Sequence, residues 1–158
     1  MDELADWLAH ECRLLEMLLF KLVEEQLLLA AGESRFLGVA AAEVQRALGR
    51  LGEAQLRRAM MVDALAREPH GATLKVLAAE SREPYGTIFE DHRRALLDLM
   101  SEIDEVSGQS RRLAEIGAKL AGLEQAADDE LELALAGAGY QVALSAQLSM
   151  PALRDFLG

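Results

Sequence analysis

The three histidines are the first residues to consider for chemistry, because an imidazole can act as a metal ligand or as a general base. His10, His70 and His92 fall on three different segments of the chain. The stretch HEC at 10–12 puts a carboxylate and a thiol beside one of them. Adjacent residues on a helix point about 100° apart, so these side chains cannot share one ion. Asp6 lies four residues before His10 and can pair with it, which on a helix is usually a surface contact.

The longer patterns that mark catalytic or metal sites do not occur in this sequence. It has no HExxH or ExxH pattern, and Cys12, its only cysteine, has no second thiol with which to bind zinc. The stretches GESRFLG and GAGYQ contain glycines but lack the lysine and the strand-to-helix context of phosphate loops. His92 falls on an apolar stripe, which favours a partly buried, hydrogen-bonded core histidine. We therefore expect no enzyme, no cofactor and no metal site.

The overall composition narrows the class of protein further. The chain has 158 residues and a formal net charge of −11. This charge argues against a nucleic-acid-binding protein, which needs a basic face to displace phosphate counterions, and against an anionic membrane surface. The start of the chain lacks a signal-peptide pattern, and its densest apolar stretch is interrupted by charges, which argues against insertion into a membrane. We expect a cytoplasmic protein.

The elements that would position any site are helices. Leucines at mixed spacings of three, four and seven predict a first helix over residues 3–31, covered by more than one neighbour and ended by Gly32. A second helix is predicted over 35–67, with Ser34 as its cap. The short link between the two helices predicts an antiparallel hairpin. Gln55 and Arg58 fall on the apolar seam of the second helix, so weaker packing is expected there.

The second half of the chain is predicted to hold one short and one long helix. A connector with Pro69 and Pro84 carries a short helical turn at 73–80. The sequence TIFE matches a capping box, in which Thr87 caps a helix and Glu90 reaches back to it. Apolar residues then keep the helical period to about residue 135, and the stretch SGQS at 107–110 either kinks this helix or splits it. The segment EDHRR at 90–94 is interpreted as solvated helix surface.

The last 22 residues differ from the rest, because they carry only Arg154 and Asp155 as charges. Residues 140–148 alternate as in a strand, yet Tyr140, Leu144 and Leu148 also share one helical face. The segment ALRDFL at its end fits a final amphipathic turn. The apolar residues of this tail are covered either by the chain itself or by a partner that decides their conformation.

These patterns together predict an all-α fold. It is an antiparallel bundle of three to four long helices: a helical hairpin and a long third helix, which is either continuous or broken near Ser107–Gly108. Residues 1–136 are the predicted bundle domain. Residues 137–158 are the predicted apolar, conformationally adaptable tail, a partner-binding segment.

Three stretches, in this order, resemble the flagellar export chaperones of the FlgN type, especially their actinobacterial versions. LLEMLLFKLVEEQLLLAAGESRFLGVAAAEVQRAL resembles the first hairpin of the family. ATLKVLAAESREPYGTIFEDHRRALLDLMSEI resembles its middle segment, including the aromatic-containing EPYG turn. GAGYQVALSAQLSMPALRDFLG is similar to tails that end in Ser-Leu-x-Asp-Phe-Leu. Ala152 stands where that ending has serine, and Gln109 and Ser110 stand where an Asn pair is often found.

This resemblance implies a cytoplasmic, cofactor-free chaperone. Such a protein binds the two hook–filament junction (hook-associated) proteins, keeps them soluble and unassembled, and delivers them to the flagellar type III export apparatus. In related chaperones the C-terminal region makes much of the substrate contact. We therefore expect the apolar residues of the tail to bind the client: Tyr140, Val142, Leu144, Leu148, Leu153, Phe156 and Leu157.

The main alternative is a self-associating helical scaffold or stalk with no export client, which would use the long third helix to form a stable oligomer. The sequence also leaves open whether the free protein is a monomer or a homodimer. Neither alternative involves nucleic acid or insertion into a membrane.

Overall fold

The structure of the protein is a computed structural model, and it describes residues 1–65, 73–123 and 150–158. Within these ranges the chain is all-α, with five helices and no strand. The helices are α1 (Asp2–Ala31), α2 (Ser34–Leu65), α3 (Leu74–Glu80), α4 (Tyr85–Leu123) and α5 (Pro151–Leu157). The predicted all-α bundle is confirmed, and the predicted short helix and final helical turn correspond to α3 and α5.

The turn between α1 and α2 is built on Gly32. Its φ of 69° lies in the left-handed region, which a glycine enters without steric cost. The N–H of Gly32 donates to Leu29 O, and the N–H of Glu33 donates to Leu28 O at 3.0 Å. These two hydrogen bonds form a Schellman motif, which satisfies carbonyls at the end of α1. The chain therefore reverses within two residues.

Helices α1 and α2 form the predicted antiparallel hairpin. Near the turn, Lys21 Nζ lies 2.7 Å from Glu43 Oε2. Near the open end, Arg58 Nε donates to Glu11 Oε2 at 2.8 Å. Residues later in α2 thus pair with residues earlier in α1, as antiparallel helices require.

Two glycine substitutions are expected to change stability in opposite directions. Gly49 is exposed within α2, and a Cβ there would meet nothing within 4 Å, so Gly49→Ala should raise the free energy of unfolding by about 1 kcal/mol. Gly32→Ala should lower it by about 1 kcal/mol or more, because alanine is strained at positive φ. Urea unfolding of the two variants measures both effects. Equal changes of the same sign would contradict this assignment of the two glycines.

Helix α1 lies between α2 and α4, and α4 runs parallel to it. The hydroxyl of Tyr85 donates to Asp2 at the start of both helices. Farther along, the side-chain amide of Gln26 donates to Gln109. This confirms that α1 is covered by more than one neighbour. The shared apolar core combines five leucines of α1 with residues of the other helices, among them these: Leu4, Leu8, Leu15, Leu18, Leu22, Val44, Leu51, Val62, Leu74, Phe89, Leu96, Met100 and Ile103.

Helix α3 brings the chain to the start of α4. The hydroxyl of Thr73 caps α3 by accepting from the N–H of Val76. A Cβ on Gly86 would lie 3.1 Å from Ala78 O and 3.2 Å from Ser81 O, so a larger residue would require the end of α3 to move away from α4 by a few tenths of an ångström. This close approach accounts for the glycine in the EPYG turn.

The start of α4 differs from the predicted capping box. The helix begins at Tyr85, so Thr87 lies inside its first turn and not at its cap. The Thr87 hydroxyl donates to the Glu83 carboxylate at 3.0 Å, and Glu90 pairs with Arg93 along the helix surface. The capping-box prediction is wrong because Pro84 already supplies the first acceptor, taking the hydrogen bond from the N–H of Ile88.

The possible break near Ser107–Gly108 does not occur, because α4 continues through this stretch to Leu123. Ser107 and Ser110 are both buried, so they occupy core-facing positions of an unbroken helix. Each of these serines stands where the period places an apolar residue. The polar residues therefore interrupt the hydrophobic pattern without interrupting the helix.

Candidate functional site

The C-terminal helix α5 docks on the bundle through its apolar residues. Leu153 and Leu157 are fully buried and belong to the same apolar cluster as Phe89 and Leu96. Phe156 is partly buried against this cluster. The spacing of three and four residues gives α5 one apolar face, as the sequence predicted.

Polar contacts from α4 hold the two ends of α5. Arg93 donates from Nε to Leu157 O at 2.8 Å and from Nη2 to Gly158 O at 2.9 Å. At the other end, Arg154 of α5 pairs with Asp104. The order of these contacts shows that α5 runs antiparallel to α4. Only 18% of the Arg93 side chain is exposed. The interpretation of EDHRR as solvated helix surface is therefore wrong for Arg93.

The third group that contacts α5 is a buried arginine on α2. Arg58 is 4% exposed, and its guanidinium lies 4.0 Å from the centre of the Phe156 ring. Its Nε donates to Glu11 Oε2 on α1, and the other oxygen, Glu11 Oε1, is buried without a hydrogen-bond partner. Burial raises the pKa of the Glu11 carboxyl, and Arg58 offsets only part of this rise. One cation thus joins α1, α2 and α5 in the core.

An open groove lies between α2 and α5, and we call it the α2–α5 groove. It encloses about 500 Å³ and is mainly apolar. Leu56, on its α2 wall, is 65% exposed, and the neighbouring Met60 is 66% exposed. The groove is lined by residues of α2 and α5 together with the cap of α3: Gly52, Gln55, Leu56, Arg58, Ala59, Val62, Asp63, Thr73, Ala152, Asp155 and Phe156.

A second apolar groove lies at the closed end of the hairpin. Leu27, Phe36 and Val39 are its most exposed apolar residues, at 63%, 43% and 60%. Its polar residues are Glu24 and Glu43, which both pair with Lys21 at 2.7 Å. Lys21 therefore neutralises part of the negative charge beside this groove, whereas the apolar surface stays open.

A buried polar layer crosses the core between α1 and α4. Glu25 is 1% exposed, and neither of its carboxylate oxygens has a hydrogen-bond partner. The hydroxyls of Ser107 and Ser110 are likewise buried without partners. Glu25, Ser107 and Ser110 lie at the same height along the parallel helices α1 and α4, because their neighbours Gln26 and Gln109 form a hydrogen bond between the two helices. Burial raises the pKa of Glu25 from 4.5 to about 7.

Among the described residues, His10 and Cys12 lie on α1, and His92 lies on α4. Cys12 Sγ lies 4.0 Å from Nδ1 of His92, which is partly buried as predicted. Burial raises the pKa of Cys12 to about 11 and lowers that of His92, so the neutral thiol and the neutral imidazole are favoured. His10 stacks on Trp7 at 5.1 Å, and His70 lies outside the described residues.

Two further findings concern metals and membranes. Among residues 1–65, 73–123 and 150–158, no group of three or more His, Cys, Asp or Glu side chains is placed to hold a metal ion. Within the same part of the chain, no helix combines the length and the apolar character needed to span a lipid bilayer.

The structure divides the predicted client-binding residues into two groups. Leu153 and Leu157 are covered by the chain's own core, and Phe156 forms part of the groove wall. The other four, Tyr140, Val142, Leu144 and Leu148, lie outside the described residues, as does the predicted boundary at 136–137. The apolar side chains of Leu153 and Leu157 in α5 are therefore covered by the chain itself and not by a partner.

Sequence reasoning assigned no buried polar contact to four residues near these sites: Glu11, Glu25, Arg58 and Arg93. A signal for the two glutamates was present, because they continue the leucine series of α1 at spacings of three and four. Arg58 likewise falls on the apolar seam of α2. A charge on an apolar seam indicates a buried polar contact, not only weaker packing.

The fold and these surfaces define a class of protein: an all-α helical bundle with a docked C-terminal helix and open apolar grooves. The sequence matches the family model described as "FlgN protein" over residues 1–126. The chain therefore belongs to the FlgN family, the flagellar export chaperones. No curated protein and no solved structure matches it in the same comparisons.

Proposed function

We propose that this protein is a cytoplasmic chaperone for the hook–filament junction proteins, which it keeps unassembled and delivers to the type III export apparatus. Membership of the FlgN family over residues 1–126 carries the proposal, because members of this family bind flagellar export substrates. The apolar grooves of the bundle support it, because a chaperone must offer apolar surface to a client. No chemical step or cofactor is part of this function.

The physical task explains why apolar surface is needed. Terminal helices of a junction protein are amphipathic and tend to self-assemble, so a chaperone must cover their apolar face before export. An amphipathic helix binds in an apolar groove through residues at helical spacing. If an adaptable segment of the chaperone becomes ordered at the same time, this ordering costs several kcal/mol and keeps the complex reversible.

We assign client contact to the tail: Tyr140, Val142, Leu144 and Leu148, together with Phe156 at the wall of the groove. Leu153 and Leu157 contact a client only when α5 leaves its seat, because the chain itself buries them. This distinction guides the choice of variants. Removal of the whole tail would also remove two core leucines, so point substitutions are the better test.

The test is co-purification of the full-length protein with the terminal segments of the two junction proteins. The double variant Leu144→Asp/Leu148→Asp is expected to lose the client and to keep the wild-type melting transition. The matched control, Leu153→Asp/Leu157→Asp, places two charges in the core and is expected to lower the melting temperature.

Two results would contradict the proposal. If the wild-type protein binds neither junction protein and light scattering shows a stable oligomer, the protein is a self-associating scaffold. If Leu144→Asp/Leu148→Asp loses both the client and the native melting transition, these leucines belong to the core and are not a client-binding site.

A further inference from the structure

We propose that the α2–α5 groove is the seat for one amphipathic helix of the export client, with the basic residues of that helix facing Asp63 and Asp155. The inference rests on the proposed function and adds a location and a charge preference to it. It places the contact on α2 of the bundle as well as on the tail.

The shape of the groove fits a helix. Its α2 wall extends from Gly52 to Asp63, which is about 16 Å at 1.5 Å per residue. This length accommodates about three helical turns. The exposed Leu56 and the ring of Phe156 provide apolar contacts on opposite walls. A helix with apolar residues at three- and four-residue spacing can contact both walls along this length.

The glycines of α2 support close approach by another helix. A Cβ on Gly49 or Gly52 would meet nothing within 4 Å, so no contact inside the described part of the chain requires either glycine. Each glycine in a helix interior costs about 1 kcal/mol relative to alanine. A helix seated in the groove would contact the backbone at Gly52, where a larger side chain would keep it away.

The charges of the groove determine which kind of helix fits. Its one arginine, Arg58, is buried and paired with Glu11, so it offers little positive charge to a ligand. Asp63 on α2 and Asp155 on α5 are exposed, and neither forms an ion pair within the described residues. The accessible charge of the groove is therefore negative, and lysines or arginines beside the apolar stripe of the client would complement it.

The same charges disfavour a second copy of this chain as the occupant. The net charge of −11 means that two copies repel each other. Pairing of two copies groove to groove would also bring the exposed Asp63 and Asp155 of one copy close to the same acids of the other. The acidic groove likewise does not suit an anionic lipid surface.

The experiment compares two substitutions of glycine by leucine on the same face of α2. Gly52→Leu fills the groove, whereas Gly38→Leu introduces the same side chain about 21 Å away along the helix, where a Cβ also meets nothing within 4 Å. Leucine favours helix more than glycine, so neither variant is expected to unfold α2. Affinity is measured for the terminal segments of the two junction proteins. Gly52→Leu is expected to weaken binding about tenfold, and Gly38→Leu is expected to bind as the wild type does.

Charge reversal tests the second part of the inference. Asp63→Lys/Asp155→Lys is expected to weaken binding about tenfold at low salt, with a smaller effect at high salt. A client segment whose lysines and arginines are replaced by glutamates should bind this reversed variant more tightly than it binds the wild type. Circular dichroism of each variant confirms that the helices are retained.

The outcomes separate the inference from the proposed function. If the wild-type protein binds the junction segments and all three variants bind equally well, the groove is not the seat, and the chaperone function stands. If the wild-type protein binds neither segment, the proposed function fails, and this inference fails with it.

Discussion

Replacing Arg58 with methionine is expected to lower the free energy of unfolding by about 3–5 kcal/mol at neutral pH. The substitution leaves the Glu11 carboxylate buried without its cation, although it keeps most of the apolar volume at position 58. The loss should shrink as the pH falls. Without Arg58 the pKa of Glu11 rises further in the folded state, so the folded protein takes up a proton there and removes the buried charge.

Urea unfolding at several pH values measures this loss, and two further variants make it specific. Arg46→Met, on the same helix, removes an arginine whose side chain is 66% exposed, and it should change stability by less than about 0.5 kcal/mol. Glu11→Leu/Arg58→Met replaces the whole ion pair with apolar groups and should recover most of the lost stability. An Arg58→Met variant as stable as Arg46→Met would show that the pair contributes little.

The hairpin could be predicted because each rule that builds it is local. Leucine periodicity defines the apolar face of α1, and Gly32 supplies the left-handed residue that ends the helix. The antiparallel arrangement follows from the short link. None of these features needs information from a distant part of the chain.

The buried charges could not be predicted in the same way, because each depends on a contact distant in sequence. Arg58 is tolerated in the core because Glu11, 47 residues earlier, accepts its hydrogen bond. The position of α5 depends on Arg93, which donates to main-chain oxygens more than 60 residues later. The hydrophobic pattern alone indicates that Arg58 interrupts the apolar face of α2 and that Arg93 lies on the surface. Only the packing of the helices shows which charges have partners.

Glu25 is another buried charge that the sequence pattern does not predict, and its carboxylate has no hydrogen-bond partner among the described residues. It continues the leucine series of α1 and is fully covered, yet no described side chain forms a hydrogen bond with its carboxylate. The sequence therefore indicates its position but not its environment. Its polar neighbours across the interface, Ser107 and Ser110, were instead interpreted as the site of a kink or break in the helix.

Replacing Glu25 with glutamine is expected to raise the free energy of unfolding by up to about 3 kcal/mol above pH 7. Burial raises the folded pKa of Glu25 from 4.5 to about 7, and each pKa unit corresponds to about 1.4 kcal/mol. A raised pKa means that the folded state binds the proton more tightly than the unfolded state does. Stability from this group is therefore fully present below pH 4.5 and is lost as the pH rises to about 7. Glutamine resembles the protonated acid and does not ionise.

The two proteins should consequently be equally stable at low pH and diverge as the pH rises, and urea unfolding across this range measures the difference. Subtracting the wild-type curve from the variant curve removes the effect of every other titrating group. Glu16→Gln, an exposed substitution on the same helix, should change stability by less than about 0.5 kcal/mol throughout. A difference in the free energy of unfolding that does not change with pH would contradict the burial of the Glu25 carboxylate. It would mean that α1 and α4 separate enough near Glu25 for water to reach its side chain.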